Sequence, residues 1–347
     1  MSRIALVTGA PGWLGSRLVE ALLGRVDDAA VGDRWDLVRA LVLPGQDPGR
    51  LAGLDPRLEL VQGDLRRPDS LRPFVDGVEG AVVFHCAGLI HPKRIQELYE
   101  LNHLGTEHLL AAAASARVQR LVYVSSNSVA GMNPHRDHRF DEATVDRPYM
   151  HYGRSKLLAE AAVRAAAFAG SLETVVVRPP WYYGPFQPAR QTTFFTMIRT
   201  GKAPIIGGGH NLRSMAYVDN LCQGLLLCAD HPAARNRTYW IADRRPYPMH
   251  EIVDTVERLM RDEFGIRCSG GRLRLPAIAT EVAYWADRGL QTAGLYHQKV
   301  HVLSEMDKDI ACSIARAEAE LGYAPAVELQ EGMRRSLRWL RDSGTAF

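Results

Sequence analysis

Apolar residues in the first 180 positions fall into short continuous runs, each closed by glycine, proline or a small polar residue. Ile4-Ala5-Leu6-Val7-Thr8 is the first, and Asp36–Leu43, Leu58–Val61, Ala81–Phe84, Leu121–Val124 and Thr174–Val177 follow. The runs are rich in β-branched residues and do not alternate with polar ones, the pattern of strands covered on both faces. Between them apolar residues recur three and four apart: Leu14, Leu18, Val19 and Leu22, then the stretches Thr106–Ala116 and Ser155–Ala169. That spacing predicts helices with one buried side. Strands and helices in alternation predict an α/β fold on a doubly wound parallel sheet, in which ligands bind beyond the carboxyl ends of the strands.

Past residue 180 the pattern loosens. Trp181-Tyr182-Tyr183-Gly184-Pro185 opens a loop rich in aromatics and proline, and Phe194, Phe195, Met197 and Ile198 predict a helix able to line a pocket or simply pack. A short strand is expected over Arg213–Val218, then a helix opening at Val218-Asp219-Asn220. Ile252, Val256 and Leu259 mark a helix over Glu251–Glu263, and another begins after Leu275-Pro276 with Ile278, Val282, Tyr284 and Trp285. Ser313–Leu321 is stopped by Gly322-Tyr323, and a last helix runs through Trp339-Leu340. The expected division is a nucleotide-binding unit over 1–180, with returning segments from about 210–245, and a smaller substrate-binding lobe over most of 181–347.

Composition narrows the classes of function. With 347 residues, 46% hydrophobic and 23% charged, the chain is long enough for one large α/β unit or two domains. A net charge of +3 is too mild to imply nucleic acid or an acidic membrane surface as partner. No stretch nears the roughly 20 apolar residues of a membrane span. Met1-Ser2-Arg3 runs straight into the first strand, so no signal peptide is expected. Five scattered cysteines (Cys86, Cys222, Cys228, Cys268 and Cys312) point to free thiols in a reducing, cytoplasmic setting. No His/Cys cluster has metal-ligand spacing; His135 and His138 stand in a polar loop.

Two motifs carry candidate chemistry. Gly9-Ala10-Pro11-Gly12-Trp13-Leu14-Gly15 lies between the first strand and first helix, where glycines let the backbone approach a pyrophosphate held at a helix N-terminus. A plain turn would show the same residues, and the spacing is Gly-x-x-Gly-x-x-Gly, not the commoner Gly-x-Gly-x-x-Gly. Tyr152-Gly153-Arg154-Ser155-Lys156 puts a phenol and an ammonium one helical turn apart. A nearby cation lowers a phenol pKa from its usual ~10 and fits it for proton transfer. An ordinary exposed helix pair has the same spacing.

Together with Gly63-Asp64-Leu65, His85-Cys86-Ala87-Gly88, Asn102-x-x-Gly105-Thr106, Val124-Ser125-Ser126 with Val129-x-Gly131, Arg178-Pro179 and Tyr183-Gly184-Pro185, these motifs stand in the order found in one family. The chain resembles the extended short-chain dehydrogenases/reductases, which include nucleotide-sugar epimerases and 3β-hydroxysteroid dehydrogenases. The resemblance implies a Rossmann domain holding a nicotinamide dinucleotide and a Ser126/Tyr152/Lys156 catalytic group. It implies that Tyr152 moves the proton, Ser126 binds the substrate oxygen, and Lys156 acidifies the phenol and holds the nicotinamide ribose. Asp64 and Leu65 are expected at the adenine. Gly9, Gly12, Trp13, Leu14, Gly15, Cys86, Ala87, Gly88 and Pro179 are expected to line the cofactor. Asn102 is expected to fix the active-site geometry or to start a helix, and Ser125 to be a second hydroxyl or a buried strand-end serine bonded to backbone. Tyr182 and Arg213 are candidate substrate contacts; an arginine at the latter position meets a substrate diphosphate in sugar-nucleotide members, and a surface salt bridge would explain it equally. A homodimer through a helix pair, one of them bearing Tyr152, is also implied.

One departure concerns the cofactor. The second strand ends Val42-Leu43-Pro44, without the acidic residue that grips the ribose of NAD, and without an arginine for the 2′-phosphate of NADP. The missing acid removes repulsion, which favours NADP slightly over NAD. For the reaction, Ser125-Ser126-x-x-Val129-Ala130-Gly131 and the apolar helix after Pro276 resemble the 3β-hydroxysteroid branch, and so point to oxidoreduction of a hydroxyl or ketone on a hydrophobic, sterol-like or polycyclic small molecule. Nucleotide-sugar epimerisation is the alternative. A 4,6-dehydratase would carry an acidic pair where Asn127-Ser128 stand, and a non-catalytic dinucleotide sensor would lack Tyr152 and Lys156.

Overall fold

All six apolar runs form strands, and every pairing among them is parallel. A computed structural model describes residues 2–29 and 35–347; Met1 lies outside it. In chain order the first half contains β1 (Ile4–Thr8), α1 (Trp13–Leu22), β2 (Leu37–Val42), β3 (Leu58–Gln62), β4 (Val82–His85), the short α2 (Gln96–Leu98), a π-helical stretch (Tyr99–Leu104), α3 (Gly105–Ser115), β5 (Arg120–Val124), α4 (Met150–Phe168) and β6 (Glu173–Arg178). The sheet runs β3-β2-β1-β4-β5-β6 and gains a seventh strand at Arg237–Trp240, parallel to β6. The winding reverses between β1 and β4, where Thr8 lies opposite His85. In such sheets the crevice at the reversal is where ligands bind, and here the glycine turn and the 86–88 segment leave the sheet side by side.

The third run departs from expectation. β3 is an edge strand, and Glu59 and Leu60 face outward rather than into a covering helix. The seventh strand was not expected at all. Its four residues begin with Arg237 and Thr238, too short and polar for the pattern, although Tyr239 and Trp240 are fully buried.

The second half adds β7 (Trp181–Tyr183), α5 (Ala189–Arg199), β8 (Pro204–Ile206), β9 (Leu212–Arg213), β10 (Met215–Tyr217), α6 (Val218–Asp230), β11 (Arg237–Trp240, the seventh sheet strand), β12 (Tyr247–Pro248), α7 (Met249–Asp262), β13 (Leu273–Leu275), α8 (Ile278–Thr292), α9 (Gln298–Glu305), α10 (Ala315–Leu321) and α11 (Leu329–Asp342). The strands here form two-stranded ribbons, β7 with β10, β8 with β13 and β9 with β12. α5, α7 and α11 enclose a separate core with Phe195, Ile252, Val256, Leu259, Met333 and Leu337. The segments 216–242 and 310–323 instead bury their apolar residues in the core shared by β1, β2, β4, β5, β6 and α1. The tail from Ile310 to Tyr323, expected in the smaller lobe, therefore closes the larger one. Gly322 ends α10 in the left-handed conformation, and the amides of Gly322 and Tyr323 turn back to the carbonyls of Glu318 and Ala317. Asp243 joins the two cores: its carboxylate accepts from Tyr183 Oη at 2.8 Å, the Tyr217 amide at 2.9 Å and Asn220 Nδ2 at 3.1 Å.

Candidate active site

The turn after β1 is glycine-rich because backbone fills the space where side chains would go. A Cβ on Gly9, whose φ is +72°, would meet the Ala87 amide nitrogen at 2.7 Å, and a Cβ on Gly15 would meet the Gly9 carbonyl at 2.3 Å. Gly12 is the N-cap of α1 and offers no side chain to the first-turn amides, those of Trp13, Leu14 and Gly15. Those amides and the helix dipole suit a pyrophosphate. Cys86, Ala87 and Gly88 leave β4 beside this turn, and a Cβ on Gly88 would stand 3.7 Å from both Lys156 Nζ and Asn102 Oδ1. The cradle therefore fits a dinucleotide on its packing alone.

Tyr152 sits in the first turn of α4, on the helix that its spacing to Lys156 predicts. The helix begins by docking onto the end of β5. The Tyr149 amide donates to the Ser128 carbonyl at 2.8 Å, and Met150 takes a left-handed φ of +51° to enter the helix. Gly153 allows the closest approach, since a Cβ there would lie 2.3 Å from the Ser128 carbonyl. The docking brings the Tyr152 phenol up to Ser126, near enough for the serine to favour its ionised form. Ser126 Oγ accepts from the Ser128 amide at 3.2 Å, so its orientation is fixed by the short helical turn it caps.

The electrostatics differ from the expectation. Burial raises the Tyr152 pKa above the usual phenol value, opposed first by the neighbouring Ser126 and then by the charge of Arg190. Lys156 stands one turn along α4 from Tyr152. Its Nζ donates to the Val124 carbonyl at 2.8 Å and lies 4.4 Å from the Tyr123 ring centre. Burial brings the Lys156 pKa down to about 7, against the fully buried carboxylate of Glu160 one turn along α4. Glu160 also accepts from Ser125 Oγ at 2.5 Å, Arg178 at 2.7 and 3.0 Å and Arg164 at 2.6 Å. Ser125 is thus bonded to a carboxylate, not to backbone.

Asn102 lies within the π-helical stretch and is 1% exposed. It pins the Leu89 peptide from both sides, accepting from its amide at 2.7 Å and donating to its carbonyl at 2.9 Å, and it donates to Ser155 Oγ on α4 at 3.0 Å. His85 continues the network between Thr8 (2.7 Å) and Thr106 (2.9 Å), and burial lowers its pKa to about 3, which keeps it neutral. Glu160 was not singled out from the sequence, and His85 only as the start of the His85–Gly88 motif. Glu160, four residues after Lys156, could have been found by the same spacing that pairs Tyr152 with Lys156.

Residues 5–242 match the model of the family described as "NAD dependent epimerase/dehydratase family". The chain belongs to that family. Among relatives, it is 49% identical over 99% of its length to the uncharacterized protein y4nL of Sinorhizobium fredii, covering 97% of that protein. It is 30% identical over 98% of its length to a 4-hydroxy-2-methyl-3-oxo-4-farnesyl-3,4-dihydroquinoline-1-oxide ketoreductase of Stigmatella aurantiaca, of which it covers 96%. It is 29% identical over 96% of its length to a 3β-hydroxysteroid dehydrogenase/Δ5→4-isomerase of Mycobacterium tuberculosis, of which it covers 89%. In fold it is similar to a dTDP-glucose 4,6-dehydratase of Bacillus anthracis in complex with NAD, with a TM-score of 0.75, 20% identity and coverage of 99% and 97% of the two chains. This member of the epimerase/dehydratase family is an extended short-chain dehydrogenase/reductase with a Rossmann-type sheet.

The remaining predicted residues of this family member lie at varied distances from Tyr152. Trp13 and Tyr182 face each other with ring centres 4.9 Å apart, and Trp13 Nε1 donates to the Pro185 carbonyl at 2.7 Å. Tyr182 is near enough to Tyr152 for their ionisations to interact. The Pro179 carbonyl accepts from the Asn127 amide at 3.1 Å and so holds the serine turn. Asp64 and Leu65 follow the end of β3; the Asp64 carboxylate grips Arg66 at 2.6 Å, which holds its pKa down, and Leu65 packs beneath Gly105. Arg213 packs against the end of α9. Its guanidinium donates to the Glu305 carbonyl at the end of α9, with the charges of Glu305, Asp309 and Asp307 close by. Among the described residues no group of three or more His, Cys, Asp or Glu could hold a metal ion.

Proposed function

We propose that this enzyme moves a hydride between a nicotinamide dinucleotide and a hydroxyl or ketone carbon of a hydrophobic, polycyclic small molecule. The placing of Ser126 next to the Tyr152 phenol, beside the glycine cradle, carries this reading. The bound dinucleotide supplies or accepts the hydride. Tyr152 gives its proton to the substrate oxygen in reduction and removes it in oxidation, while Ser126 donates a hydrogen bond to the same oxygen and stabilises its developing charge. Lys156, with Gly88 and Asn102 around its Nζ, holds the nicotinamide ribose. Trp13 and Tyr182 offer aromatic surface to an apolar substrate, in keeping with the quinoline and steroid named for the relatives. The alternative, nucleotide-sugar epimerisation, loses its main support because the Arg213 guanidinium is already bonded to the Glu305 carbonyl.

Tyr152→Phe should bind cofactor as the wild type does and lose about 10²–10⁴-fold in turnover, read by titrating cofactor fluorescence and by a screen of polycyclic ketones and UDP-sugars. Full activity in that variant would remove Tyr152 from the reaction, and turnover of a UDP-sugar without net change in cofactor would establish the epimerase instead. We further infer that NADPH serves at least as well as NADH. β2 ends without a carboxylate, and Arg39 within it is spent on Glu59 at 2.8 Å. A strong preference for NADH in kcat/KM would overturn that. A homodimer through the α4 face, in a reducing compartment that suits the free cysteines, completes the proposal.

A further inference from the structure

α8 is built inside out for a protein in water. The residues it buries are Thr280, Ala283, Asp287 and Gln291, while Ile278, Val282 and Trp285 stand one turn apart on its outer side. The polar side is anchored. Asp287 Oδ2 lies 2.7 Å from His301 Nδ1 on α9, Gln291 donates to Asp287 and accepts from the His151 amide at 3.2 Å, and Tyr149 Oη lies 2.6 Å from Ser304 Oγ. In the turn between the helices, the Ile95 amide donates to Gly294 and Tyr296 Oη meets His91 Nδ1 at 2.6 Å. The hairpin of α8 and α9 therefore sits by its polar interior on the start of α4, beside Tyr152, and turns its apolar residues to the outside.

The apolar surface is concentrated there. Of the twelve large hydrophobic side chains exposed among the described residues, six lie between 273 and 302: Leu273, Ile278, Val282, Trp285, Leu295 and Val302, exposed from 40% to 69%. Scattered apolar residues need no explanation, but a contiguous set marks a contact surface. The unpaired charges around it have one sign. Within 273–302 the acids are Glu281 and Asp287, the first paired with Lys308 and the second with His301. Arg274, Arg288 and Lys299 are exposed and have no carboxylate partner among the described residues. The mild charge of the whole chain hides this local excess.

We propose that the hairpin docks on an anionic lipid surface, lying in the headgroup layer with Ile278, Val282 and Trp285 inserted. An amphipathic element with a tryptophan on its apolar side and basic flanks has the chemistry of such a contact. A second copy of the chain fits the same face poorly, because a two-fold contact sets a patch against itself and would bring Arg274, Arg288 and Lys299 together with their own copies. No helix among the described residues is long and apolar enough to cross a membrane, so the contact is peripheral. It would open the Tyr152 cleft toward a lipid-dissolved substrate, though the docking itself does not rest on the proposed reaction.

The test is flotation of the full chain with phosphatidylcholine vesicles, with and without phosphatidylglycerol, and needs no substrate. Binding is expected to the anionic vesicles, and to fall several-fold as salt rises from about 0.1 M to about 1 M. Ile278→Ser with Trp285→Ser should lower partitioning at least about tenfold, and Arg274→Glu with Arg288→Glu and Lys299→Glu should abolish the preference for anionic lipid. Cofactor affinity and the thermal midpoint, unchanged in both variants, show that the fold is intact. Failure of the wild type to float, or binding indifferent to the charge reversal, overturns the proposal. So does self-association, by light scattering, that the Ile278/Trp285 variant abolishes.

Discussion

Lys156 is held in a position that favours loss of its proton. Its folded pKa of about 7 lies below the 10.5 usual for lysine, chiefly through burial. Between those two pH values the unfolded chain binds more protons than the folded one, so this group makes stability rise with pH across the window. Urea titrations of the chain without cofactor at pH 7 and pH 9.5 should therefore show a larger gain for the wild type than for Lys156→Met; equal gains would refute it. The tyrosine, the lysine and the serine were legible because their spacing and order carry the chemistry. The direction of the electrostatics was not, because the distance from Lys156 to its partners depends on the Val124 carbonyl and the buried Glu160. Arg213 shows the same limit. Its residue type fits an anion site, and only the fold brings the Glu305 carbonyl at the end of α9 against it.

At the scale of elements, the contact between α4 and the β5 turn decides where the phenol points. Gly153→Ala would place a Cβ 2.3 Å from the Ser128 carbonyl, which is backbone and cannot swing aside. The helix start must move, at a cost of about 1–3 kcal/mol in stability. Turnover should fall further than cofactor affinity, because the glycine cradle lies on other elements; a calorimetric binding titration beside steady-state rates checks this. The sheet strands were readable because buried parallel strands announce themselves as apolar runs. β11 was not, since pairing with β6 and burial of Tyr239 and Trp240 depend on residues some sixty positions away. The way α4 begins was also hidden, because Met150 enters through a left-handed conformation that only its docking explains.

At the scale of the whole molecule, the order of the chain and the order of packing part company. The α/β class followed from alternation alone, whereas the return of Ile310–Tyr323 to the larger core left no periodic signal of its own. That return has a consequence for the hairpin of α8 and α9. The chain leaves for it from β13 and is sewn back by the bridges of Ile310 to Arg213 and Cys312 to Phe140. A peptide bond cut in the exposed turn around Gly294 would thus sever the polypeptide without freeing either piece. Brief digestion with a protease specific for that turn should yield two bands under denaturing electrophoresis and a single particle on a sizing column, the two fragments behaving as one folded body. Separation of the fragments on the column would mean that the stitches at 310 and 312 are too weak to hold them.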